Sequence, residues 1–158
     1  MGDSGACAED EKGEQIMGLD MGIRLKKRYD LLPWWFKKMV VFPNGWEVKE
    51  YSYKEEDEAY GIDICYWRNE WELLREICLT VGVKSNPDTI AEMTIDHVKM
   101  VRTRLKYYLA HPNEWDEIGH WTYEECSERL KCFKRNLFWL MLYMRLHPEV
   151  KVVFYASY

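Results

Sequence analysis

An alternation close to the start of this chain limits its fold more than any other feature. Leu19, Met21, Ile23 and Leu25 are apolar, whereas Asp20, Gly22, Arg24 and Lys26 are polar or small. A period of two puts each set on its own face of a strand, so one face is committed to a core. At the far end Val150, Val152 and Phe154 read as a final strand. Strands this short are not stable alone. They must pair with each other or with a third strand, and the chain between them must supply the cover.

Between the two ends the period changes to that of a helix. Ile64, Trp67, Trp71, Leu74, Cys78 and Val81 recur at three- and four-residue steps and predict a first helix that Gly82 stops. Thr94 is placed to cap a second helix, with Met93 and Val98 as a hydrophobic staple and the stripe Val98, Val101, Leu105, Tyr108 and Leu109. Thr122-Tyr123-Glu124-Glu125 is a capping box that opens a third, whose stripe is Cys126, Leu130, Phe133, Leu137, Leu140 and Met144. Beyond Leu137 this helix is apolar nearly all round, which predicts an enclosed second half.

The connections read less regularly. Trp34-Trp35-Phe36-Lys37-Lys38 follows Pro33 as a loop or short helix, and Pro43-Asn44-Gly45 is a turn signal between Met39–Phe42 and Trp46–Tyr53 that predicts a hairpin. Lys54–Ala59 is an acidic connection or helix start, and Lys84–Met93 reads as a turn around Ser-Asn-Pro-Asp. The expected fold is therefore α+β: a small sheet of N-terminal strand, hairpin and C-terminal strand, packed against three helices.

Size and charge narrow the function classes without naming one. A chain of 158 residues makes one domain. The net charge is −5, and residues 1–16 carry −4 of it through Asp3, Glu9, Asp10, Glu11 and Glu14 against Lys12. The body is nearly neutral, so bulk charge favours neither a polyanion mimic nor a strongly basic nucleic-acid binder. The longest apolar run, Leu137–Met144, has eight residues, far short of the roughly 20 that span a membrane. The start is acidic where a signal peptide is basic. Five cysteines in an odd set without a C-x-x-C pair read as reduced, packed thiols.

Residues 1–16 lack aromatics and a period, and read as a disordered acidic leader. The codons of Lys12-Gly13-Glu14 can carry a purine-rich ribosome-binding tract roughly eight nucleotides before that of Met17. Translation starting at Met17 is then one expectation, and a genuine acidic tail the other.

The candidate site residues are Asp20, Trp34, Trp35, Lys37, Lys38, Tyr66, Arg68 and Tyr155. Asp20 and Arg68 would bracket an anionic ligand or do acid–base work. The preferred alternative is a structural pair joining first strand to first helix, where a guanidinium fork suits a carboxylate. Tyr66, Trp67 and Tyr155 are packing or binding aromatics. Residues 24–38 hold six bases against Asp30 and interleave them with Trp34-Trp35-Phe36, which suits single-stranded nucleic acid. A core-facing tryptophan pair with solvated lysines is the plainer reading. His97, His111, His120 and His147 are scattered, Cys126 and Cys132 lack a zinc spacing, and Glu114, Asp116, Glu117 and His120 read as a solvated loop. No metal, cofactor or catalytic residue is expected.

Met17-Gly18-Leu19-Asp20-Met21, then Tyr66-Trp67-Arg68-Asn69, then the terminal Phe154-Tyr155-Ala156-Ser157-Tyr158 form a trio. It resembles small phage and prophage proteins of uncharacterised function that begin M-G-L-D-M and carry a Y-W-R helix. The resemblance implies a phage-related origin and a bacterial cytoplasm, and favours Met17 as the start. Eight tryptophans exceed what one such core needs, so some indoles should reach the surface as an interaction site. The leading expectation is a non-enzymatic accessory protein that binds a host or phage macromolecule or itself. The alternatives are a single-stranded nucleic-acid binder using residues 24–38, and a small enzyme centred on Asp20 and Arg68.

Overall fold

The alternating segment near the start folds as a central strand. In the computed structural model, which describes residues 18–41, 60–68, 70–112 and 123–158, β1 (Asp20–Leu25) lies between β2 (Ile62–Arg68) and β4 (Val152–Ser157). β3 (Asp88–Glu92) follows β4 at the edge, giving an antiparallel sheet in the order β2-β1-β4-β3. The two ends of the chain are thus neighbours, with Met21 opposite Ala156, Ile23 opposite Phe154 and Leu25 opposite Val152. All six of these side chains are buried. Four helices, α1 (Trp34–Met39), α2 (Trp71–Val81), α3 (Ile95–Ala110) and α4 (Tyr123–Leu146), share one core with that face of the sheet.

The expected first helix is half strand. Ile62–Arg68 pairs with β1, and only Trp71–Val81 is helical. Tyr66-Trp67-Arg68 therefore sits on a strand, not a helix. The misreading has a physical cause. Ile23 faces Cys65 but Arg24 faces Asp63, so Ile64 is the extra residue of a β-bulge. Ile64 and Cys65 are adjacent yet both fully buried, and this break in the period of two leaves Ile64, Trp67 and Trp71 at helical spacing. The bulge carbonyl is satisfied from α4: Asn136, fully buried, donates its amide to Ile64 O at 2.9 Å and Val41 O at 2.8 Å, and accepts from Val41 N at 3.0 Å.

Two further expectations change. Within Lys84–Met93 the turn is present, held by Thr89 Oγ1 accepting from Asn86 N and donating to Asn86 O, both at 2.9 Å. Asp88–Glu92, however, is a strand. Asp, Ala and Glu have poor strand propensity, so pairing with β4 decides its conformation. The second half of α4 is not enclosed all round. Leu137, Leu140, Tyr143 and Met144 are buried, but Phe138 is 48% and Leu146 58% exposed, because the described elements packed on α4, namely α1, α3 and β2, do not surround it.

Other signals hold. Gly82 ends α2 in the left-handed region at φ 86°. Thr94 caps α3, its Oγ1 accepting from His97 N at 3.2 Å while His97 Nδ1 accepts from Thr94 N at 3.1 Å, and Met93 and Val98 are buried. Trp34–Met39 takes the short-helix option. The leader 1–16, the hairpin at 43–45, the run 54–59, the cluster 114–120 and the cap at Thr122 lie outside the described residues. Among the described residues, no helix is long and apolar enough to cross a membrane.

Candidate functional site

The face of the sheet turned away from the helices gathers four of the candidate residues. Asp20, Gly22 and Arg24 of β1 stand opposite Arg68, Tyr66 and Asp63 of β2, and opposite Ser157, Tyr155 and Val153 of β4. Asp63 reaches this face only because of the bulge; an unbroken period of two from Trp67 and Cys65 would aim it into the core. No described helix packs on this face.

Two small networks result. In the first, the Tyr66 hydroxyl donates to Asp20 Oδ1, and Arg68 Nε stands 3.8 Å from the same oxygen with both side chains about half exposed. Asp20 and Arg68 are thus joined, but across two strands and not from strand to helix. In the second, Arg24 Nε donates to Asp63 Oδ1 at 2.9 Å and the Tyr155 hydroxyl to Asp63 Oδ2 at 2.9 Å. The Arg24 guanidinium also lies over the Tyr155 ring, 4.3 Å from its centroid. Asp63 is buried and Arg24 largely so, so this pair is shielded from the solvent that weakens the first.

Both phenols hold their protons. Burial, then the Asp63 charge, pushes the Tyr155 hydroxyl well above its ordinary value. Burial, then the hydrogen bond to Asp20, does the same to Tyr66. Neither is a general acid near neutrality, where a useful catalytic pKa lies close to the operating pH. The arrangement chemically suits positioning and hydrogen bonding. Beside it a groove of about 450 Å³ is lined by Arg24, Lys26, Ile90, Glu92, Lys151, Val153 and Tyr155. Ile90 is 53% exposed there.

The other four candidates sit on the helical side. Trp35 packs against Phe36, Trp139 and Tyr143, with ring centroids at 5.8, 6.1 and 6.4 Å. It fixes α1 to α4. Trp34, its neighbour, is 71% exposed, and Leu31 and Val41 on either side of α1 are 56% and 48% exposed. Lys38 is exposed, whereas Lys37 lies over the Tyr29 ring at 5.0 Å. The basic-aromatic segment 24–38 is therefore divided between two sides of the molecule: Arg24 bonds Asp63 across the sheet, and Arg28 bonds Asp30 at 3.1 and 2.8 Å.

Sequence reasoning missed Asp63 and Arg24 as partners, and Ile90 altogether. A signal for Asp63 was present, an acid inside the apolar run Ile62–Cys65; the helical reading hid it. Cys65 and Cys78 are buried free thiols, and burial raises both above the ordinary thiol value. No cluster of three or more metal-ligating side chains occurs among the described residues. No family model, curated protein or solved structure matches this chain.

Proposed function

We propose that this chain is a non-enzymatic accessory protein, phage-related and at work in the bacterial cytoplasm, that binds a host or phage protein through a surface centred on Trp34. The origin and compartment rest on the resemblance carried by the Met17–Met21, Tyr66–Asn69 and Phe154–Tyr158 segments. The binding surface rests on one observation: Trp34 is 71% exposed on a helix that its neighbour Trp35 anchors to α4. A large indole on a fixed support loses little entropy on docking, and tryptophan is enriched among the residues that dominate binding energy. Exposed Leu31 and Val41 flank it with apolar surface. The reading includes no reaction, because Asp20 is already engaged by Tyr66 and Arg68.

A second reading, single-stranded nucleic acid, has one feature in its favour. Trp34 and Lys38 are four residues apart on α1, one turn of helix, so a stacking face and a cation lie side by side. The protein reading is preferred because Arg24 is held by buried Asp63 on the sheet face, apart from Trp34.

Trp34→Ala separates these readings, and unlike replacement of Trp35 it leaves the contact with α4 intact. Immobilised chain should retain one dominant protein from a bacterial lysate, with affinity lowered at least about tenfold in the variant at unchanged Tm. Equal retention by both forms refutes the proposal. Concentration-dependent sedimentation lost in the variant makes the partner a second copy, and steeply salt-dependent retention on single-stranded DNA supports the nucleic-acid reading.

A further inference from the structure

Among the described residues β3 has one edge paired and one edge without a partner strand, and its hydrogen bonds say which main-chain groups face outward. Tyr158 N donates to Pro87 O at 2.9 Å, and Met93 N donates to Val152 O at 2.8 Å, at the two ends of the β3–β4 ladder. In an antiparallel ladder such hydrogen-bonded positions recur every second residue. Thr89 and Ala91 therefore turn their N–H and C=O toward β4, and Asp88, Ile90 and Glu92 turn theirs outward. No described strand pairs with them there.

The side chains of those three residues stand on the sheet face away from the helices. Ile90 is 53% exposed, and Asp88 and Glu92 on either side of it are exposed. Ile90 and Glu92 also line the groove of about 450 Å³. A bare edge with an apolar residue at its centre is a template for an added strand. The acids restrict which strand it takes. If two copies of β3 paired antiparallel about Ile90, Asp88 of each would face Glu92 of the other, and like charges directly opposite are destabilising. The same two carboxylates favour a strand carrying cations at those positions. Lys151 does not block this, since its contact with Glu92 is 3.6 Å between well-exposed side chains and such pairs contribute little.

We propose that the outer edge of β3 accepts an extended segment of another protein as a fifth strand, one that reads basic–x–apolar–x–basic. Its backbone pairs with the outward groups of Asp88, Ile90 and Glu92. Its central apolar side chain packs beside Ile90 at the mouth of the groove, and its two cations meet Asp88 and Glu92. This surface lies across the sheet from Trp34 and stands whether or not the α1 reading does.

The probe is a fluorescently labelled peptide of roughly ten residues centred on Lys-Val-Ile-Val-Arg, read by anisotropy with the full chain. Amide hydrogen exchange should show new protection at Asp88, Ile90 and Glu92, and a peptide with Glu in place of both cations should bind about tenfold more weakly at low salt. Ile90→Pro removes an outward N–H without touching the ladder to β4, and should abolish binding. If that variant fails to fold, Asp88→Lys with Glu92→Lys carries the test, and should reverse the preference between the two peptides. No binding of the basic peptide, equal binding of both peptides, binding that survives Ile90→Pro, or protection arising from dimers in sedimentation would each overturn the proposal.

Discussion

Gly22→Ala asks the central strand to hold one more carbon where there is no room for it. A Cβ at this position would stand 2.5 Å from Cys65 O, 2.8 Å from the Tyr155 hydroxyl oxygen and 2.9 Å from Tyr155 Cε2. Gly22 is not among the positive-φ glycines, so its backbone suits alanine and the cost is one of space. Tyr155 cannot swing aside freely, because its hydroxyl is bonded to Asp63 and Arg24 stacks on its ring. Overpacking costs about 1–3 kcal/mol, and losing a hydrogen bond to a charged group about 1.5–3 kcal/mol. The gain from a less flexible unfolded chain, about 0.4–1 kcal/mol, opposes them. The net loss is about 3 kcal/mol, and at about 2–4 °C per kcal/mol the Tm should fall by about 6–12 °C. Thermal and urea unfolding followed by circular dichroism measure it. In a Tyr155→Ala background two of the three close contacts vanish, so the same substitution should cost clearly less. An unchanged or raised Tm would refute the closed space around Gly22, and an equal cost in both backgrounds would assign the penalty to Cys65 O and not to Tyr155.

Folding raises the pKa of Tyr66 and Tyr155, so the fold favours the protonated phenol. That contribution is intact below the ordinary tyrosine value of about 10 and is lost as pH rises beyond it. Urea midpoints should fall steeply above about pH 10, and less steeply in Tyr155→Phe; identical slopes would contradict the assignment. Asn136→Leu keeps the branched outline in a larger side chain but removes the amide that bonds the buried Ile64 carbonyl and Val41, which should cost at least about 1–3 kcal/mol and lower the urea midpoint at unchanged m. A midpoint equal to wild type would mean that the bulge carbonyl has another donor.

The sequence by itself determined that both ends of the chain are strands with a buried face. Leu19 to Leu25 alternate without a break, which is the pattern of a strand with one buried face, and Val152 to Ala156 is a short β-branched and aromatic run after Pro148. It also determined where helices start and stop at Thr94 and Gly82, because capping depends on local geometry and a few neighbouring atoms. Only the tertiary structure decided that Ile62–Arg68 is a strand and that Asp88–Glu92 joins the sheet. The first carries a bulge that disguises its period, and in the second Asp88, Ala91 and Glu92 oppose the strand preference of Thr89 and Ile90, so in each the neighbouring strand settles the conformation. The candidate site divides in the same way. Asp20, Tyr66, Arg68 and Tyr155 were recognisable as residue types, but their meeting on one face, and the arrival there of Asp63, depend on the register between β1, β2 and β4. Register is a relation between segments far apart in the chain, and no pattern within one segment encodes it.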